Sequence, residues 1–417
     1  MADKKLHTVT LEQDKCKGCV ACMKRCPTEA IRVREGKAKI HYDRCIGCGE
    51  CVRICPHNAK KVVYDDFDII NNYKYKIALP APSFYGQFNN IDNLGIIIEG
   101  LKNLGFDEVS EVAVGAELVT DATKKVLSKG AIKKPIISTA CPAILQLILI
   151  RYHSLTENLL NMLAPVDVVA KLAKENAEKK TGLKPEEIGV FFISPCPAKV
   201  FALKSAFGVK EPLVQGVLAA SDIYFRLLPH LKNIKFSAEE PKAGMAGISW
   251  ACSGGEASGV MKDKYIYVDG IENCMNVLKQ LEDKKLDHID FVEMNACVSG
   301  CVGGVLNIEN PFVARSKIRE LEKYLPKYRN NVEFAGKDLD FFQWEVNPET
   351  NDVMRLDEDF MVALKKMSDI DAILKGLPGL DCGNCGAPSC RAFAEDVVNG
   401  EADLSLCNRK EDAENNG

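Results

Sequence analysis

The chain has 417 residues, 47% of them hydrophobic, which is enough for two or three folding units with a sizeable core. Its 54 Lys and Arg against 58 Asp and Glu give a formal net charge of -4, so it lacks the large basic field that recruits nucleic acid or an anionic membrane. The first residues are charged without the apolar core of a signal peptide, and the longest apolar runs are too short to span a bilayer, which predicts a cytoplasmic protein.

The 18 cysteines divide the chain into three regions. In a long chain rich in core residues, this number favours metal ligation over a disulfide scaffold. Polar stretches with turn residues mark two boundaries between the cysteine-rich regions. The predicted domains are therefore residues 1–70, 71–345 and 346–417.

The first region contains the pattern C-x2-C-x2-C-x3-C-P twice. Three thiolates in one tight loop suit three corners of an iron-sulfur cube, and in two-cluster bacterial ferredoxins the fourth cysteine of each run binds the other cluster. We therefore predict a small α+β ferredoxin-like domain with two 4Fe-4S clusters. Zinc is the alternative, but its sites normally use separated C-x2-C pairs. The first N-terminal group is Cys16, Cys19, Cys22 and Cys55, and the second N-terminal group is Cys26, Cys45, Cys48 and Cys51.

The middle region alternates strand-like apolar runs with helical patterns, which predicts an α/β domain. The predicted strands are residues 76–81, 111–116, 135–140, 189–194, 265–268 and 288–294. The predicted helices are residues 94–105, 142–153, 168–180 and 271–285.

Cysteines follow three of the predicted strands. Cys141, Cys196 and Cys297 each lie just past the carboxyl end of a strand, where α/β sheets form their ligand crevice. Cys301 follows Cys297 in a C-x3-C pattern and joins the same site. We call these four cysteines the central group and predict that they hold another iron-sulfur cube. The remaining two, Cys252 and Cys274, are most simply buried small side chains.

The last region reads C-x2-C-x4-C, with a fourth cysteine after sixteen intervening residues. Glycine and proline in the loop allow a close turn over a cluster, and residues 391–402 predict a helix that returns the chain to the fourth ligand. The segment resembles the small, mainly helical Fe-S domain of the B components of Rnf complexes and of corrinoid proteins. A zinc site remains an alternative because C-x2-C opens either kind of cage. The C-terminal group is Cys382, Cys385, Cys390 and Cys407.

The motifs "STACPA", "SPCPAK" and "EMNACVSGCVGG" resemble, in order, the three motifs of the FeFe hydrogenase catalytic domain over about residues 74 to 340. The resemblance implies that the central group holds the cube of the H-cluster. It also implies that Cys301 bridges to a diiron site carrying carbon monoxide, cyanide and a dithiolate. Lys199 matches the lysine that hydrogen-bonds a cyanide. The loop that closes over the diiron site would be Ala81, Pro82 and Ser83.

The chain departs from the hydrogen-turnover members of that family at several positions. The first of two adjacent cysteines, whose thiol delivers protons in that family, is replaced by Ala140. Methionines before the second and third motif cysteines become Ser194 and Asn295, the glutamate of the second motif becomes Ala202, and the glycine run ends at Val305. A methyl group cannot relay protons, so we expect slow turnover.

Two carboxyl groups are candidates to replace the missing relay. Glu256 lies where the family has an apolar residue, and Glu293 lies beside the third motif. The alternative for each is a solvated or structurally paired carboxylate.

Three functions remain. The favoured one is a sensory hydrogenase with low turnover, which binds hydrogen and protons at the H-cluster and passes electrons through three accessory 4Fe-4S clusters to a redox or signalling partner. The second is a ferredoxin-dependent hydrogenase with a rerouted proton path. The third is a Nar-like iron-sulfur assembly factor without a diiron site, against which Lys199 and the complete ferredoxin-like run argue. The sequence leaves the oligomeric state open.

Overall fold

The computed structural model describes residues 7–89, 93–130, 132–234 and 237–408. The strands are β1 (Val9–Leu11), β2 (Ile31–Arg34), β3 (Lys37–Ile40), β4 (Lys60–Val62), β5 (Tyr75–Pro80), β6 (Glu108–Val109), β7 (Ile136–Ile137), β8 (Ile188–Ser194), β9 (Gly216–Ala219), β10 (Tyr265–Asp269) and β11 (Phe291–Asn295). The helices are α1 (Ala21–Lys24), α2 (Glu50–Arg53), α3 (Pro82–Tyr85), α4 (Gly95–Asn103), α5 (Val112–Ser128), α6 (Pro142–Arg151), α7 (Pro165–Thr181), α8 (Pro197–Lys204), α9 (Ala220–Leu231), α10 (Met245–Ile248), α11 (Gly255–Val260), α12 (Ile271–Glu282), α13 (Pro311–Glu322), α14 (Val332–Ala335), α15 (Phe360–Lys375) and α16 (Cys390–Val398).

The contacts divide the chain into two compact units. The first unit comprises the described residues within 1–62, 149–151 and 350–417, and the second comprises those within 63–148 and 152–349. Two cysteine-rich regions that are distant in sequence therefore belong to one unit. The predicted three-domain boundaries stay a prediction.

The first unit is built from two small antiparallel pairs, the short helices α1 and α2, and the longer helices α15 and α16. Strands β1 and β4 form one pair, and β2 and β3 form a hairpin. The hairpin turns at Glu35 and Gly36, both with positive φ, as a two-residue turn that follows the twist of the strands requires. Helices α1 and α2 each carry a cysteine of a predicted ferredoxin-like run.

The C-terminal segment packs directly on the hairpin of the first unit. Arg32 of β2 donates to the buried carboxylate of Asp396 in α16, with 2.7 Å between Nε and Oδ2. The amide of Val33 donates to the carbonyl oxygen of Gly386 at 2.9 Å. Gly386 has φ +75°, and a Cβ there would lie 1.7 Å from the Val33 oxygen. Only glycine permits this approach.

The second unit contains two parallel sheets, with strand orders β6-β5-β8-β9 and β10-β11-β7. Every residue of β8 is buried, as expected for a strand of a parallel sheet covered on both faces. Helices alternate with these strands along the chain, so the predicted α/β class is confirmed. Across the described residues, every helix is too short or too polar to cross a lipid bilayer.

One predicted strand is wrong. Residues 111–116 form the first turns of helix α5, and the strand in this region is the two-residue β6. The buried Val112, Ala116 and Val119 recur at the three- and four-residue spacing of a helix face. The strand prediction rests on the six residues 111–116, whereas the apolar face of the helix continues for two more turns beyond them.

Candidate metal centres

A cavity of about 60 Å³ lies where the carboxyl ends of strands from both parallel sheets of the second unit meet. That space exceeds what one water molecule needs. Its wall includes residues that follow β5, β7, β8 and β11, as predicted for a crevice at strand ends. The sequence-predicted residues that line it are Ala81, Pro82, Ser83, Ala140, Lys199, Glu256, Glu293, Asn295 and Cys301.

Much of the remaining wall is apolar and was missed by sequence reasoning. Helix α5 contributes Val112 and Ala116, the start of α7 contributes the residues 164–166, and Phe192 and Trp250 complete this part. These residues lie far apart in the chain and carry no polar signal. The one indication in the sequence is the position of Trp250, two residues before the "CSGGEASG" turn that carries Glu256.

Lys199 interacts electrostatically with all four cysteines of the central group. Its side chain extends from the first turn of α8, and Nζ donates to the carbonyl oxygen of Ala140 at 3.3 Å. Burial by itself lowers the pKa of Lys199, but the thiolate charges of all four central cysteines outweigh burial and raise it. Lys199 therefore remains a cation inside the protein. Of the four cysteines, Cys301 also lines the cavity.

The loop carrying the C-x3-C pair is held by a glycine. Gly300 has φ +88°, and a Cβ there would lie 2.4 Å from the amide nitrogen of Ser253. The chain can therefore pass close to the 252–253 segment only with glycine at this position.

Within the described ranges, no three His, Cys, Asp or Glu side chains lie close enough to hold a single metal ion. A four-iron cube takes its thiolates at four outer corners, which lie farther apart.

The cavity contains an unpaired hydroxyl group. Ser83 is completely buried, and its Oγ has no hydrogen-bond partner among the residues that the structure describes. A buried polar atom of this kind is costly unless a ligand pairs with it. Together with the Lys199 ammonium and the Cys301 thiol, it provides two hydrogen-bond donors and one metal ligand in one space.

Glu256 is a buried carboxyl group that is hydrogen-bonded to the hydroxyl of Ser138 at 2.5 Å. The Ser138 oxygen also accepts from the amide of Ala140 at 3.2 Å. Burial, and then the nearby carboxyl of Glu293, raise the pKa of Glu256 well above its ordinary value. The raised pKa favours the protonated form of Glu256, which is linked through Ser138 to the amide of Ala140.

Glu293 has different surroundings although it lines the same cavity. Its two oxygens accept from the amides of Gly254 at 2.9 Å and Ala257 at 2.8 Å, and from the side-chain amide of Asn295 at 2.8 Å. Burial raises the pKa of Glu293, and these donors oppose the rise. This carboxyl group fastens the start of α11 to β11, as expected for a structurally paired carboxylate.

Three further predicted residues have structural contacts. The buried Ser194 donates its hydroxyl to the carbonyl oxygen of Cys196 at 3.0 Å, and among the described residues it does not line the cavity. Cys274 is fully buried, and its thiol faces the carbonyl oxygen of Asn295 at 3.4 Å. Cys252 packs, half-buried, against the apolar core around α4 and α9. Cys252 and Cys274 fit the structural alternative.

The structure brings each N-terminal group together as the crossed ferredoxin pattern predicts. The first N-terminal group lines one small cavity, and the second lines another. In the first cavity, the sulfur of Cys16 accepts a backbone N–H from Ala38 at 3.4 Å, and that of Cys55 accepts one from Ala59 at 3.3 Å. Such bonds to sulfur are typical of iron-sulfur sites.

The C-terminal group also lines a single cavity. Helix α16 begins at Cys390, whose amide donates to Asp381 at 2.6 Å, so the loop and the helix are fixed to each other. Each of the three small cavities is thus lined by four cysteines, the number of thiolate ligands that a 4Fe-4S cluster takes.

Three family models match the chain. The model described as "Iron only hydrogenase large subunit, C-terminal domain" matches residues 74–262 and 204–305. The "4Fe-4S dicluster domain" model matches residues 8–56, and an "Fe-S cluster" model matches residues 377–409.

Curated proteins match parts of the chain. Iron hydrogenase 1 of Clostridium pasteurianum is 21% identical over 287 residues, which are 55% of this chain and 50% of that protein. The B component of the ion-translocating oxidoreductase complex of Thiobacillus denitrificans is 53% identical over 38 residues, which are 9% of this chain and 19% of that protein. The chain thus spans about half the length of the first relative and less of the second.

Solved structures share the fold. An apo FeFe-hydrogenase HydA1 variant of Chlamydomonas reinhardtii aligns with a TM-score of 0.53 at 14% identity, over 67% of this chain and 95% of that one. HydA(deltaEFG), from a study of stepwise H-cluster assembly, aligns with a TM-score of 0.53 at 14% identity, over 68% of this chain and 98% of that one. The predicted hydrogenase-like fold and ferredoxin-like domain are confirmed. Because the large-subunit model covers more than half of its residues, the chain belongs to the iron-only, or FeFe, hydrogenase family.

Proposed function

We propose that this iron-sulfur protein is a sensory FeFe hydrogenase of low turnover. In this proposal the central group and the adjoining cavity hold an H-cluster, which would supply reversible hydrogen binding. The N-terminal and C-terminal groups hold three accessory 4Fe-4S clusters that carry electrons to a separate redox or signalling partner.

The groups in the cavity support the binding of an anionic diiron site. Lys199 is a buried cation, and Ser83 offers a hydroxyl group without a partner among the described residues. A charge-assisted hydrogen bond from an ammonium to a cyanide nitrogen would satisfy both partners away from water. Cys301 belongs both to the central group and to the cavity wall, as a ligand that bridges the two parts of the H-cluster must.

The observation that carries the low-turnover proposal is the methyl group of Ala140 in the cavity wall. The resemblance places a proton-delivering thiol at this position, and an alanine side chain has no exchangeable proton. The backbone of Ala140 is fixed on both sides, by Ser138 at its amide and by Lys199 at its carbonyl oxygen. In the described part of the cavity wall the one thiol is that of Cys301, which the proposal uses as a metal ligand.

A ferredoxin-dependent hydrogenase with a rerouted proton path is the second candidate, and Glu256 is the observation that favours it. Its carboxyl group keeps a proton in the cavity and is joined to Ala140 through one hydroxyl group. General acid-base transfer contributes about 10²–10⁴-fold, so an effective relay at Glu256 would restore rapid turnover. The two candidates therefore differ in rate.

The test is to load the purified apoprotein with a synthetic diiron complex and record its infrared spectrum under hydrogen and under argon. We expect carbonyl and cyanide bands that shift under hydrogen, together with slow hydrogen production from a reduced dye. Rapid production would instead support the catalytic hydrogenase. Failure to retain the bands after removal of free complex would contradict a hydrogenase and support an assembly factor.

Substitution at Ala140 tests the cause of the low rate. Ala140→Cys places a thiol where the resemblance requires one and is expected to raise turnover by about 10²-fold. Ala164→Cys is the matched control, because it adds a thiol elsewhere on the same cavity wall. An equal rate increase in both variants, or none in Ala140→Cys with intact infrared bands, would contradict the assigned role of position 140.

A further inference from the structure

Lys60 is a buried cation that the proposed hydrogen chemistry does not use. It begins β4 in the first unit, where it pairs with Leu11 of β1, and it is 2% exposed. Its Nζ has no hydrogen-bond partner among the described residues. Burying an unpaired ammonium costs several kcal/mol, whereas an apolar side chain of similar size would fill this position without that cost.

The described groups near Lys60 in its cavity that can carry negative charge are the cysteine thiols of the first N-terminal group. The side chain lines the cavity of the first N-terminal group, five residues after the ligand candidate Cys55. The neighbouring Lys61, in contrast, is exposed.

We propose that Lys60 is the counter-ion of the cluster held by the first N-terminal group and raises the reduction potential of that cluster. The proposal rests on the ligand sets given above but not on hydrogen chemistry at the central group. An added electron makes a cluster more negative, and a fixed ammonium at short range in a dry environment stabilises that form. Lys17 also lines the cavity of the first N-terminal group but is exposed, and the described wall of the second group's cavity contains no Lys or Arg. The buried Lys60 therefore favours electrons on the first cluster.

The experiment is a redox titration, followed by electron paramagnetic resonance, of anaerobically reconstituted full-length protein without the diiron complex. The neutral variants are Lys60→Met and Lys60→Gln, the charge-retaining variant is Lys60→Arg, and the exposed control is Lys61→Met. At the wild-type midpoint we expect the reduced-to-oxidised ratio of one cluster to fall about tenfold in both neutral variants, which is about 59 mV for one electron. Lys60→Arg and Lys61→Met should change it less than about twofold.

Iron and sulfide contents are measured on every variant. Unchanged midpoints in the neutral variants, or an equal shift in Lys61→Met, would overturn the proposal. Loss of iron from both neutral variants would also overturn it, because the charge would then be a condition for cluster binding rather than a determinant of potential. Since the titration omits the diiron complex, a failed infrared test of the central site leaves this result intact.

Discussion

Glu256 and Glu293 line the same cavity, but their hydrogen bonds give them different roles. Glu293 accepts from two backbone amides and one side-chain amide, so its carboxylate is committed to holding α11. Glu256 is paired with the hydroxyl of Ser138, which connects it to Ala140. Of the two relay candidates from the sequence, Glu256 is therefore the one whose carboxyl group is not committed to backbone amides.

If Glu256 acts as a relay, as the ferredoxin-dependent candidate requires, Glu256→Gln lowers hydrogen turnover by about 10²-fold while the infrared bands and the thermal midpoint stay near those of the wild type, whereas under the low-turnover proposal the rate changes by less than about threefold. Gln preserves the shape but cannot exchange a proton in the same way. Glu256→Asp should restore part of the rate. The measurements are hydrogen production from a reduced dye and calorimetry.

Glu293→Gln is the matched control for this prediction. It exchanges one acceptor oxygen for a donor that faces a backbone amide, that of Gly254 or that of Ala257, so we expect a lower thermal midpoint. If Glu256→Gln and Glu293→Gln lower turnover equally at unchanged stability, Glu256 and Glu293 do not differ as a proton relay and a structural carboxylate.

At the scale of elements, helices and strands were predicted best where the apolar pattern was long or lay beside a cysteine motif. Helices α4, α6, α7 and α12 and strands β5 and β8 lie close to their predicted places. The short strand β9 was missed because four apolar residues cannot be distinguished from the start of helix α9 that follows. Residues 111–116 were assigned to a strand because their helical periodicity appears only in a longer window.

The same limit applies to the candidate site. The cysteine groups, Lys199 and the 81–83 loop could be named from spacing and resemblance. The packing of α16 on β2 could not, because it joins Arg32 to Asp396 across 364 positions without any motif. The different hydrogen bonding of Glu256 and Glu293 could not be predicted from the sequence either. It depends on backbone amides that only folding brings close to Glu293.

The contact between β2 and α16 gives an element-scale prediction. Asp396→Asn leaves the buried guanidinium of Arg32 without its full counter-charge, and breaking a buried pair costs about 3–5 kcal/mol. We therefore expect part of the iron-sulfur absorbance to be lost at a lower urea concentration than in the wild type. Asp222→Asn removes the exposed pair with Arg226 and should change unfolding by less than about 0.5 kcal/mol. Equal effects of the two substitutions would mean that the α16 contact contributes little.

At the scale of the whole molecule, the second unit contains several buried acids whose pKa values are raised by burial. Glu111 and Asp167 belong to this set in addition to Glu256 and Glu293. Burial raises the pKa of Asp167 from 3.8 to about 7 although Lys171 and Lys199 oppose the rise. The folded protein therefore binds more protons than the unfolded chain between these two pH values.

The pH dependence of stability follows from that difference. The contribution of neutral Asp167 is fully present below about pH 3.8 and is lost as the pH rises through about 7. The shift corresponds to on the order of 4 kcal/mol. Asp167→Asn should therefore reduce the loss of thermal stability between pH 5 and pH 8, as measured by calorimetry on reconstituted protein. An identical pH profile for variant and wild type would exclude this carboxyl group as the cause.

The wall of the central cavity is mostly methyl groups and ring carbons, with a few polar atoms at defined points. A small uncharged gas dissolves readily among such carbons, whereas a hydrated ion does not. Hydrogen gas would then reach the site by diffusion between apolar side chains. Protons would instead need a series of exchangeable groups. A change that removes an exchangeable group from the wall, such as an alanine at position 140, therefore alters the proton route and leaves the route of the gas unchanged.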